Sequence, residues 1–425
     1  MRILTISLNA WNDTLATGNT FSNFFSNRTE NDVFANIYCR EEKISNELCS
    51  KYFRITERDI LSSLVHHKSA GEAFDVSKAE KKIESDSLLS VSNKNGNLLR
   101  RYRPATLLFL REFIWCVSTW KGKKLRKFLL DFRPEIIYMH VHTNWYMHKL
   151  LWYCQKLTGA KLVVFSGDDV WSYKRHGLLQ RIYHWRLRKY LKYTFTHADI
   201  VCGGSPQLCE EFGYIFKIDI MPLYKTCIKL AAPNNKGLSY PLKAVYCGNL
   251  LYGRDEVLCQ LVEQIRKFNK EKLLFQLIIY SNTSLTENQL KVLDDGYNSR
   301  FEGAKPYGEI VQILNECDFS IFAESYNPKF IKETRLSFST KILDYMQASS
   351  VIIAVGPDSI ASIDYLKQTG TALMLDIPES FDSVLEQVVD NPDIVKEYAD
   401  KKYNYALKHH KTPTLLIMMR DLINV

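Results

Sequence analysis

The chain has 425 residues, 46% hydrophobic and 24% charged, which is enough for two or three domains with sizeable cores. It contains no run of about 18 apolar residues, so we expect no membrane-spanning helix. The short N-terminal apolar run lacks a small-residue cleavage site, which argues against a signal peptide. The formal net charge of +9 favours an anionic partner.

The ten cysteines are scattered singly, and none forms a C-x-x-C pair. Cys202 and Cys209 lie closest together, with no histidine at metal-ligand spacing. This pattern favours buried, reduced thiols in a cytoplasmic protein over a zinc site or a disulfide framework.

Short apolar runs alternate with longer amphipathic segments, which is typical of βα units around parallel sheets. In the first half we predict strands at Ile3–Leu8, Val33–Tyr38, Ile136–His140, Leu162–Phe165 and Ile200–Cys202. The helices predicted there are Phe21–Asn27, Asn144–Leu157, Leu178–Thr194 and Pro206–Phe212.

A linker is predicted at 223–241, where asparagine, glycine and proline cluster without periodicity. It separates a domain over 1–222 from a second over 242–408, and a helix within 409–425 is a candidate for packing back on the first domain. In the second domain we predict strands at Ala244–Cys247, Phe275–Tyr280, Phe319–Phe322, Val351–Ala354 and Ala372–Leu375. The helices predicted there are Glu256–Phe268, Tyr307–Asn315, Thr340–Ala348, Ile360–Thr369 and Ser380–Val389.

These elements predict an α/β protein of two Rossmann-like, doubly wound domains that face a central cleft. The carboxyl ends of both parallel sheets would border this cleft, and ligands bind at that edge of such sheets. One fold serves many functions, so the site residues have to carry the functional argument.

The strongest local signal is the run F-S-T-K-I-L-D-Y at Phe338–Tyr345. Ser339 and Thr340 stand where a helix would begin, and their hydroxyls and the free N–H groups suit an anionic phosphate. Lys341 is unusual there, because a cation at a helix N-terminus is disfavoured without a compensating anion. Asp344, one turn along, could accept hydrogen bonds from a ribose diol. The alternative is a Ser/Thr helix cap with a solvated Lys–Asp pair.

The longer run S-T-K-I-L-D-Y-M-Q-A-S-S-V-I-I-A-V-G-P resembles the donor-binding helix of the family-four (group 1) class of retaining GT-B glycosyltransferases. The resemblance implies that Ser339, Thr340 and Lys341 contact the diphosphate of a nucleotide-sugar donor. It also implies that Asp344 contacts the nucleotide ribose. The resemblance extends over nearly the whole chain and is weakest at Glu41–Leu99.

Two further segments of the second half resemble the same family. The segment A-V-Y-C-G-N-L-L-Y-G-R resembles its first C-domain strand and loop, which implies a close approach of Gly248 to the ligand and a phosphate contact by Arg254. The segment R-F-E-G-A-K-P-Y-G-E-I resembles the turn beside the nucleotide base, which implies that Glu302 and Gly303 lie there.

The first half resembles the family more loosely. Its start, M-R-I-L-T-I-S-L-N-A-W-N-D-T-L-A-T-G-N-T, resembles the first strand and glycine-containing loop, in which Gly18, Asn19 and Thr20 would face the transferred sugar. The segment H-A-D-I-V-C-G-G-S-P-Q-L resembles the part that leads into a helix near Pro206.

One position departs from the family pattern. Family members carry a glutamate eight positions before the residue matched by Asp344, and Leu336 stands at that position here. Glu324 and Glu333 are candidates to replace the missing carboxylate, and the alternative is that the donor sugar is held differently.

The expected chemistry needs positive charge beside the β-phosphate as the leaving group departs, and Lys341 and Arg254 are the candidate cations. The chain has no D-x-D motif, so we expect no metal and no cofactor besides the nucleotide-sugar donor. Asp168 and Asp169 follow a predicted strand and could position an acceptor hydroxyl, with a turn or helix cap as the alternative.

Two histidines straddle the end of the strand predicted at Ile136–His140. Alternation along a strand sends His140 and His142 to the same side. The resemblance implies that a histidine here contacts the acceptor or the donor sugar, and we choose His142, with a structural role as the alternative. It further implies that the donor's anomeric configuration is retained without a side-chain nucleophile.

Cations are concentrated in two stretches. Residues 100–133 hold ten Lys or Arg against two acids, and residues 174–192 hold seven and no acid. Aromatic residues are interleaved with them over Thr106–Leu130 and Leu178–Tyr193, which suits the surface of an anionic membrane. The alternative is that the aromatic rings lie in the core and the cations are solvated. No nucleic-acid-binding motif accompanies them, so nucleic acid is not an expected partner.

We therefore predict a cytoplasmic, metal-independent glycosyltransferase that moves a sugar from a nucleotide-sugar donor to a glycan or lipid-linked acceptor. Cell-surface polysaccharide synthesis is the setting that the resemblance implies, and the two basic aromatic stretches favour a location at the inner face of the membrane. The missing glutamate favours one alternative, a non-catalytic GT-B-shaped partner that binds a glycan. A sugar-nucleotide epimerase is the other alternative, although no residue pattern specific to it is present.

Overall fold

The structure is a computed structural model that describes residues 1–14, 16–75, 105–172, 177–233 and 238–424. Two compact units are present, one formed by Met1–Leu223 with Thr414–Val425 and the other by Tyr224–Pro413. Parts of three predictions lie outside the described residues, namely the cations Arg100, Arg101, Arg103, Lys174 and Arg175 and residues 234–237 of the predicted linker.

The first unit is built on one sheet. Its described strands are β1 (Arg2–Ser7), β2 (Val33–Tyr38), β3 (Cys49–Arg54), β4 (Glu72–Asp75), β5 (Ile136–His140), β6 (Lys161–Ser166), β7 (Ile200–Gly203) and β8 (Met221–Pro222). They follow the order β4-β3-β2-β1-β5-β6-β7-β8, and only the β3–β4 pair is antiparallel. The strand order reverses between β1 and β5, which is the topological switch point of a doubly wound sheet.

Helices cover this sheet and bury its strands. The described helices are α1 (Ala16–Phe24), α2 (Glu57–His66), α3 (Ala105–Val117), α4 (Lys123–Phe132), α5 (Trp145–Thr158), α6 (Leu178–His197) and α7 (Pro206–Phe216). Only the first residue of β1 is exposed, as expected for a parallel strand covered on both faces. An aromatic cluster between α1 and the sheet joins Trp11, Phe21, Phe25, Phe34 and Tyr138.

The second unit has an all-parallel sheet. Its strands are β9 (Leu242–Cys247), β10 (Phe275–Tyr280), β11 (Ser299–Gly303), β12 (Phe319–Ala323), β13 (Val351–Val355) and β14 (Ala372–Leu375). Their order, β11-β10-β9-β12-β13-β14, is the dinucleotide-binding order, which reverses between β9 and β12.

The helices of the second unit lie on both faces of its sheet. They are α8 (Arg254–Phe268), α9 (Glu287–Leu293), α10 (Tyr307–Glu316), α11 (Pro328–Thr334), α12 (Lys341–Gln347), α13 (Ala361–Thr369), α14 (Phe381–Asp390) and α15 (Asp393–His409). Alternate residues of β9 belong to different cores, since Ala244 and Tyr246 pack in one cluster and Val245 and Cys247 in another. The sheet is therefore sandwiched between two hydrophobic layers.

The C-terminal helix α16 (Leu415–Asn424) belongs to the first unit. Leu415, Leu416 and Met419 join the hydrophobic core that contains Ile3 of β1. Arg420 adds an ion pair with the buried Asp32, at 2.8 Å. In the described parts of the chain, no helix combines the length and the apolarity needed to cross a membrane.

The structure differs from the predicted elements where the sequence pattern is weak. The first helix begins at Ala16 rather than Phe21, because α1 packs closely against the loop at Asn12. The predicted linker is not a free spacer at its start: Cys227 is fully buried in the second unit, and its N–H donates to the His410 carbonyl at 2.7 Å. Of the ten cysteines, eight are buried, whereas Cys116 is exposed and Cys259 is half-buried.

A buried lysine on α15 holds the end of helix α12. Lys402 is 2% exposed, and its ammonium donates hydrogen bonds to the carbonyls of Tyr345, Ala348 and Ser350. The Tyr345 carbonyl belongs to the last turn of α12 and the other two follow the helix, where backbone acceptors otherwise lack helical partners. We expect Lys402→Met to lower the free energy of unfolding by about 3 kcal/mol, because three buried acceptors lose their donor. Urea unfolding followed by circular dichroism measures this change.

The matched control is the adjacent Lys401→Met. Lys401 lies on the same helix, is half exposed, pairs with the exposed Glu397 and lies over the Tyr398 ring. Exposed ion pairs of this kind contribute little to stability. Equal losses of stability for the two variants would contradict the role given to Lys402.

Candidate functional site

Charged side chains of the second unit converge where its strand order reverses. Gly248 and Asn249 directly follow β9, and Glu324 directly follows β12. Arg254 opens helix α8 and Lys341 opens helix α12. We call these five residues the switch-point cluster, because the carboxyl edge at such a reversal is where doubly wound sheets bind ligands.

The ammonium of Lys341 lies directly over the glycine after β9. Its Nζ is 3.4 Å from the Tyr246 hydroxyl and 4.9 Å from the centroid of that ring. A Cβ atom on Gly248 would lie 1.9 Å from this Nζ, and Gly248 has a φ of +142°. Glycine is therefore required at position 248 by backbone conformation and by the space that Lys341 occupies.

Arg254 is fixed in a buried ion pair. Its guanidinium donates to both oxygens of Glu324, at 2.8 and 3.0 Å, and to the Asn249 side-chain oxygen at 3.0 Å. Burial alone would lower the pKa of Arg254, but the Glu324 carboxylate outweighs it and raises this pKa. The charges of this pair offset each other, so the uncompensated charge of the cluster belongs to Lys341.

The environment of Lys341 weakens its hold on a proton. Burial, and then the nearby positive charge of Arg254, lower the pKa of Lys341 to about 8, although Glu324 opposes the change. An anion placed at this nitrogen would restore its charged form. Lys341, a cation at the unfavourable start of a helix, thus lies beside the edge of the sheet. An anionic ligand bound at this edge would compensate its charge.

Asp344, one turn along α12, accepts two hydrogen bonds at the same carboxylate oxygen. Lys225 donates to its Oδ1 at 3.1 Å and the Tyr307 hydroxyl at 2.9 Å. The Lys225 side chain is 5% exposed and that of Asp344 is 18% exposed. Lys225 also lies 5.8 Å from the centroid of the Tyr307 ring. The carboxylate is therefore held in one orientation, with its other oxygen left out of these bonds.

Ser339 and Thr340 precede the first residue of α12. The Ser339 N–H donates to the Ser362 hydroxyl at 2.9 Å, and Thr340 makes no side-chain capping bond to its helix. Thr340 is exposed and Ser339 is half-buried. The interpretation of Thr340 as a side-chain cap is therefore wrong. As α12 has only seven residues, the cation of Lys341 carries more of the site's attraction for anions than the helix dipole does.

Glu302 and Gly303 end strand β11, which is separated from β12 by β10 and β9. Glu302 is exposed, and Gly303 has a φ of +70° with open space around its Cβ position. The Gly303 carbonyl accepts from the Ser281 N–H at 2.9 Å, which ties the end of β11 to the loop after β10. These residues lie at the carboxyl edge of the same sheet as the switch-point cluster.

The position of the missing glutamate is part of the core. Leu336 is 4% exposed. Of its two candidate replacements, Glu324 belongs to the switch-point cluster and is committed to Arg254, while Glu333 lies half-buried on α11. The structure therefore brings Glu324, and not Glu333, into contact with another predicted site residue.

In the first unit, the two histidines lie together at the end of β5. The ring centroids of His140 and His142 are 6.0 Å apart. The Nε2 atom of His142 is buried without a hydrogen-bond partner, and burial lowers the pKa of His142 well below its usual value, with help from His140 and His148. Both histidines are consequently neutral at physiological pH, since burial also lowers the pKa of His140.

The two aspartates after β6 have different surroundings. Asp169 accepts hydrogen bonds from the N–H groups of Trp171 and Ser172, at 3.0 and 2.8 Å, and therefore stabilises a turn. Asp168 is exposed, and its charge acts on His140. Asp169 therefore has the structural role in a turn that was the alternative prediction. Asp168 stays a candidate to position an acceptor hydroxyl, beside the two histidines.

Gly18 and Asn19 lie within α1 of the first unit. A Cβ atom at Gly18 would lie 2.0 Å from the backbone oxygen of Asn12, so a larger residue would push α1 away from this loop. Packing alone explains the glycine. Asn19 is half-buried on the same helix.

Sequence reasoning missed the residues that orient the predicted ones. Lys225 lies in the segment predicted as linker, 119 residues from Asp344 in the chain. Tyr246 lies within strand β9, where the apolar pattern of the strand predicts a core residue and not a site residue. One signal was available for Lys225, because it is a lone cation in the otherwise uncharged run L-Y-K-T-C-I.

No profile of a protein family matches the chain, and no curated protein sequence matches it. Solved structures, in contrast, do match the chain. Sucrose-phosphate synthase from Thermosynechococcus elongatus has a TM-score of 0.61 at 11% identity, covering 100% of this chain and 98% of that one. The Anabaena protein HepE in complex with UDP has a TM-score of 0.60 at 9% identity, covering 100% of each chain.

A third structure, described as trehalose-6-phosphate from E. coli bound with UDP-2-fluoro glucose, has a TM-score of 0.59 at 10% identity and covers 100% of this chain and 99% of that one. These neighbours are GT-B glycosyltransferases. At such identities the similarity concerns the fold. The predicted fold class, two Rossmann-like doubly wound domains of the GT-B type, is therefore confirmed.

Proposed function

We propose that the chain is a glycosyltransferase that binds a nucleotide-sugar donor at the carboxyl edge of its second unit. The observation that carries this proposal is the switch-point cluster, in which Lys341, Arg254 and Glu324 come from three separate segments to the reversal of a dinucleotide-binding sheet. A half-buried lysine with a lowered pKa, at the ligand-binding edge of such a sheet, is suited to an anionic group.

The donor's parts fit different residues of this edge. We place the diphosphate on Lys341, with Arg254 sharing its charge between Glu324 and the phosphate. Asp344, held by Lys225 and Tyr307, would accept from the ribose hydroxyls through its remaining oxygen. Glu302 and Gly303 would lie beside the base.

The chemistry follows from the charge that develops on the donor. Breaking the glycosidic bond leaves negative charge on the β-phosphate, and a preformed cation stabilises that charge without reorganising at the moment of reaction. Lys341 supplies this cation, so we propose transfer without a metal ion. We also propose that the anomeric configuration is retained without a side-chain nucleophile, as the resemblance to the family-four class implies.

The acceptor is proposed to bind at the first unit, beside His142 and Asp168. A neutral His142 with a buried, unpartnered Nε2 can accept from or donate to a sugar hydroxyl. The acceptor class that we propose is a glycan or a lipid-linked sugar, and the setting is cell-surface polysaccharide synthesis in the cytoplasm.

Calorimetric titration with UDP, UDP-glucose and a panel of other nucleotide sugars tests the proposal. UDP is the first probe because solved neighbours carry it or its derivative. We expect at least one nucleotide to bind, with an affinity that is constant below pH 8 and weakens above it. The reason is that Lys341, with a pKa of about 8, loses its charge as the pH rises through that value. The loss is at most about tenfold per pH unit.

Lys341→Met serves as the control, because it removes the titrating group while leaving Arg254 and Glu324 in place. Its nucleotide affinity should be weaker than that of the wild type below pH 8 and should not change around pH 8. If no nucleotide or nucleotide sugar binds the wild-type chain, the proposal is overturned in favour of a non-catalytic glycan-binding partner.

A further inference from the structure

Helix α3 of the first unit turns apolar side chains toward solvent. Leu107, Leu110, Phe113 and Val117 are 51%, 53%, 64% and 49% exposed. They recur at helical spacing and so form one stripe along the helix. The charged residues of α3 lie elsewhere, since Glu112 is buried and Arg111 is half-buried. Helix α3 therefore exposes an apolar stripe, whereas neither of its charged residues is exposed.

Glu112 explains why the charged side of α3 faces inward. Its carboxylate accepts from the N–H groups of Trp145 and Tyr146, both at 3.0 Å, and from the Tyr183 hydroxyl at 2.9 Å. It therefore satisfies the free amides at the start of α5. This buried anchor fixes the rotation of α3 about its axis, and the exposed apolar stripe is its consequence.

The first two turns of α6, which packs against α3, also expose apolar residues. Helices α3 and α6 pack against each other and both pack on α5, so each exposes the side turned away from α5. Phe109 of α3 contacts Tyr183 of α6, with ring centroids 5.6 Å apart. The exposed apolar residues of α6 are Leu178, Leu179, Ile182 and Trp185, at 72%, 47%, 43% and 59%. Together with the α3 stripe they form what we call the α3–α6 face.

Helix α6 contributes exposed cations to this face and no acid. Arg181, Arg186, Lys189 and Lys192 of α6 are exposed, and α6 contains no acidic residue. Lys189 lies 3.7 Å from the centroid of the Trp185 ring, so a cation and an exposed aromatic share one spot. The loop and helix after α3 add exposed cations, including Lys121, Lys123 and Lys124.

The structure also divides the aromatic residues of these stretches. Trp115, Trp120 and Tyr183 are buried, as the core alternative expected. Phe113 and Trp185, in contrast, stand in solvent on the α3–α6 face. The aromatic residues are therefore neither all in the core nor all at the surface. Each stretch supplies both kinds, from opposite sides of one helix.

We propose that the α3–α6 face docks on the surface of an anionic phospholipid bilayer. Helices lying in the membrane plane combine an apolar side that enters the headgroup region with flanking cations that pair with lipid phosphates, and aromatic rings sit at that boundary. The absence of exposed acids on α3 and α6 suits a negatively charged surface. The docking is independent of nucleotide binding.

Co-sedimentation of the full chain with vesicles tests this proposal. One set of vesicles contains phosphatidylcholine alone, and the other contains equimolar phosphatidylcholine and phosphatidylglycerol. We expect binding to the anionic vesicles that weakens with salt, and little binding to the neutral ones. The double variant L110E/F113E should bind at least about tenfold more weakly, because two inserted apolar side chains become charged.

The control is Leu407→Glu, which makes the same change at a leucine 45% exposed on α15 of the second unit. It should bind vesicles like the wild type, and circular dichroism should show all variants folded. The proposal would be overturned if the wild type did not bind anionic vesicles, or if L110E/F113E bound them as tightly as the wild type. It would also be overturned if the wild type self-associated without binding vesicles and L110E/F113E abolished this self-association. Nucleotide titration of the same variants is a separate readout, so failure of one proposal is distinguishable from failure of the other.

Discussion

Replacing Lys341 with methionine is expected to reduce sugar transfer by about 10²–10³-fold, the usual cost of losing one preorganised charge-stabilising group. The switch-point cluster contains two cations, but Arg254 is already neutralised by both oxygens of Glu324. Lys341 therefore supplies the uncompensated charge that a departing β-phosphate needs. Methionine has a similar length and no charge, so the packing over Tyr246 is largely kept.

The measurement is initial-rate transfer from the nucleotide sugar that binds best, with thermal unfolding as a check on the fold. The reduction should appear mainly in kcat, since the interaction strengthens as charge develops on the leaving group. Lys396→Met, an exposed lysine of the same unit, is the matched control and should leave the rate unchanged. A rate within a few-fold of the wild type for Lys341→Met would contradict the role of Lys341 in catalysis.

Much of the fold could be predicted because both sheets are nearly all parallel. Their strands are apolar on both faces and so appear as short continuous apolar runs, as at Val351–Val355. Strand β3, which lies next to the edge strand β4, was missed because its residues Ser50 and Lys51 are exposed and break the run. Strands close to the edge of a sheet are covered less completely, and their sequences look like loops.

The candidate site could be predicted only in its local part. Ser339, Lys341 and Asp344 lie in one short run, and the anomaly of a cation at a helix start was visible in the sequence. The partners of that cation come from distant segments, and a contact such as Lys225–Asp344, 119 residues apart, has no local signature.

The orientation of α3 shows a second limit. Helical periodicity gives the stripes of a helix but does not say which stripe faces the core. From the sequence alone, the apolar stripe of α3 would be assigned to the interior. In this structure Glu112 reverses that choice, because its three hydrogen bonds to α5 and α6 require the polar side to face inward.

The substitution Gly248→Ala is expected to weaken nucleotide binding by about ten- to a hundredfold and to destabilise the second unit. Two causes act at this position. A φ of +142° is strained for any residue with a Cβ, at a cost of about 1–3 kcal/mol. The new Cβ would also lie 1.9 Å from Lys341 Nζ and 2.3 Å from its Cε, so the ammonium must leave its place.

A substitution at a second glycine separates the effect of backbone strain from the effect of displacing the Lys341 ammonium. Gly296 has a positive φ of +75° and no atom within 4 Å of its Cβ position, so Gly296→Ala adds strain without a collision. Both variants should unfold at a lower temperature, whereas only Gly248→Ala should lose nucleotide affinity in calorimetric titration. Combining Gly248→Ala with Lys341→Met should then cost little further affinity, because the first change already removes the ammonium from the site. Additive losses of affinity would mean that Gly248 acts on the nucleotide directly, by allowing its close approach, and not through Lys341.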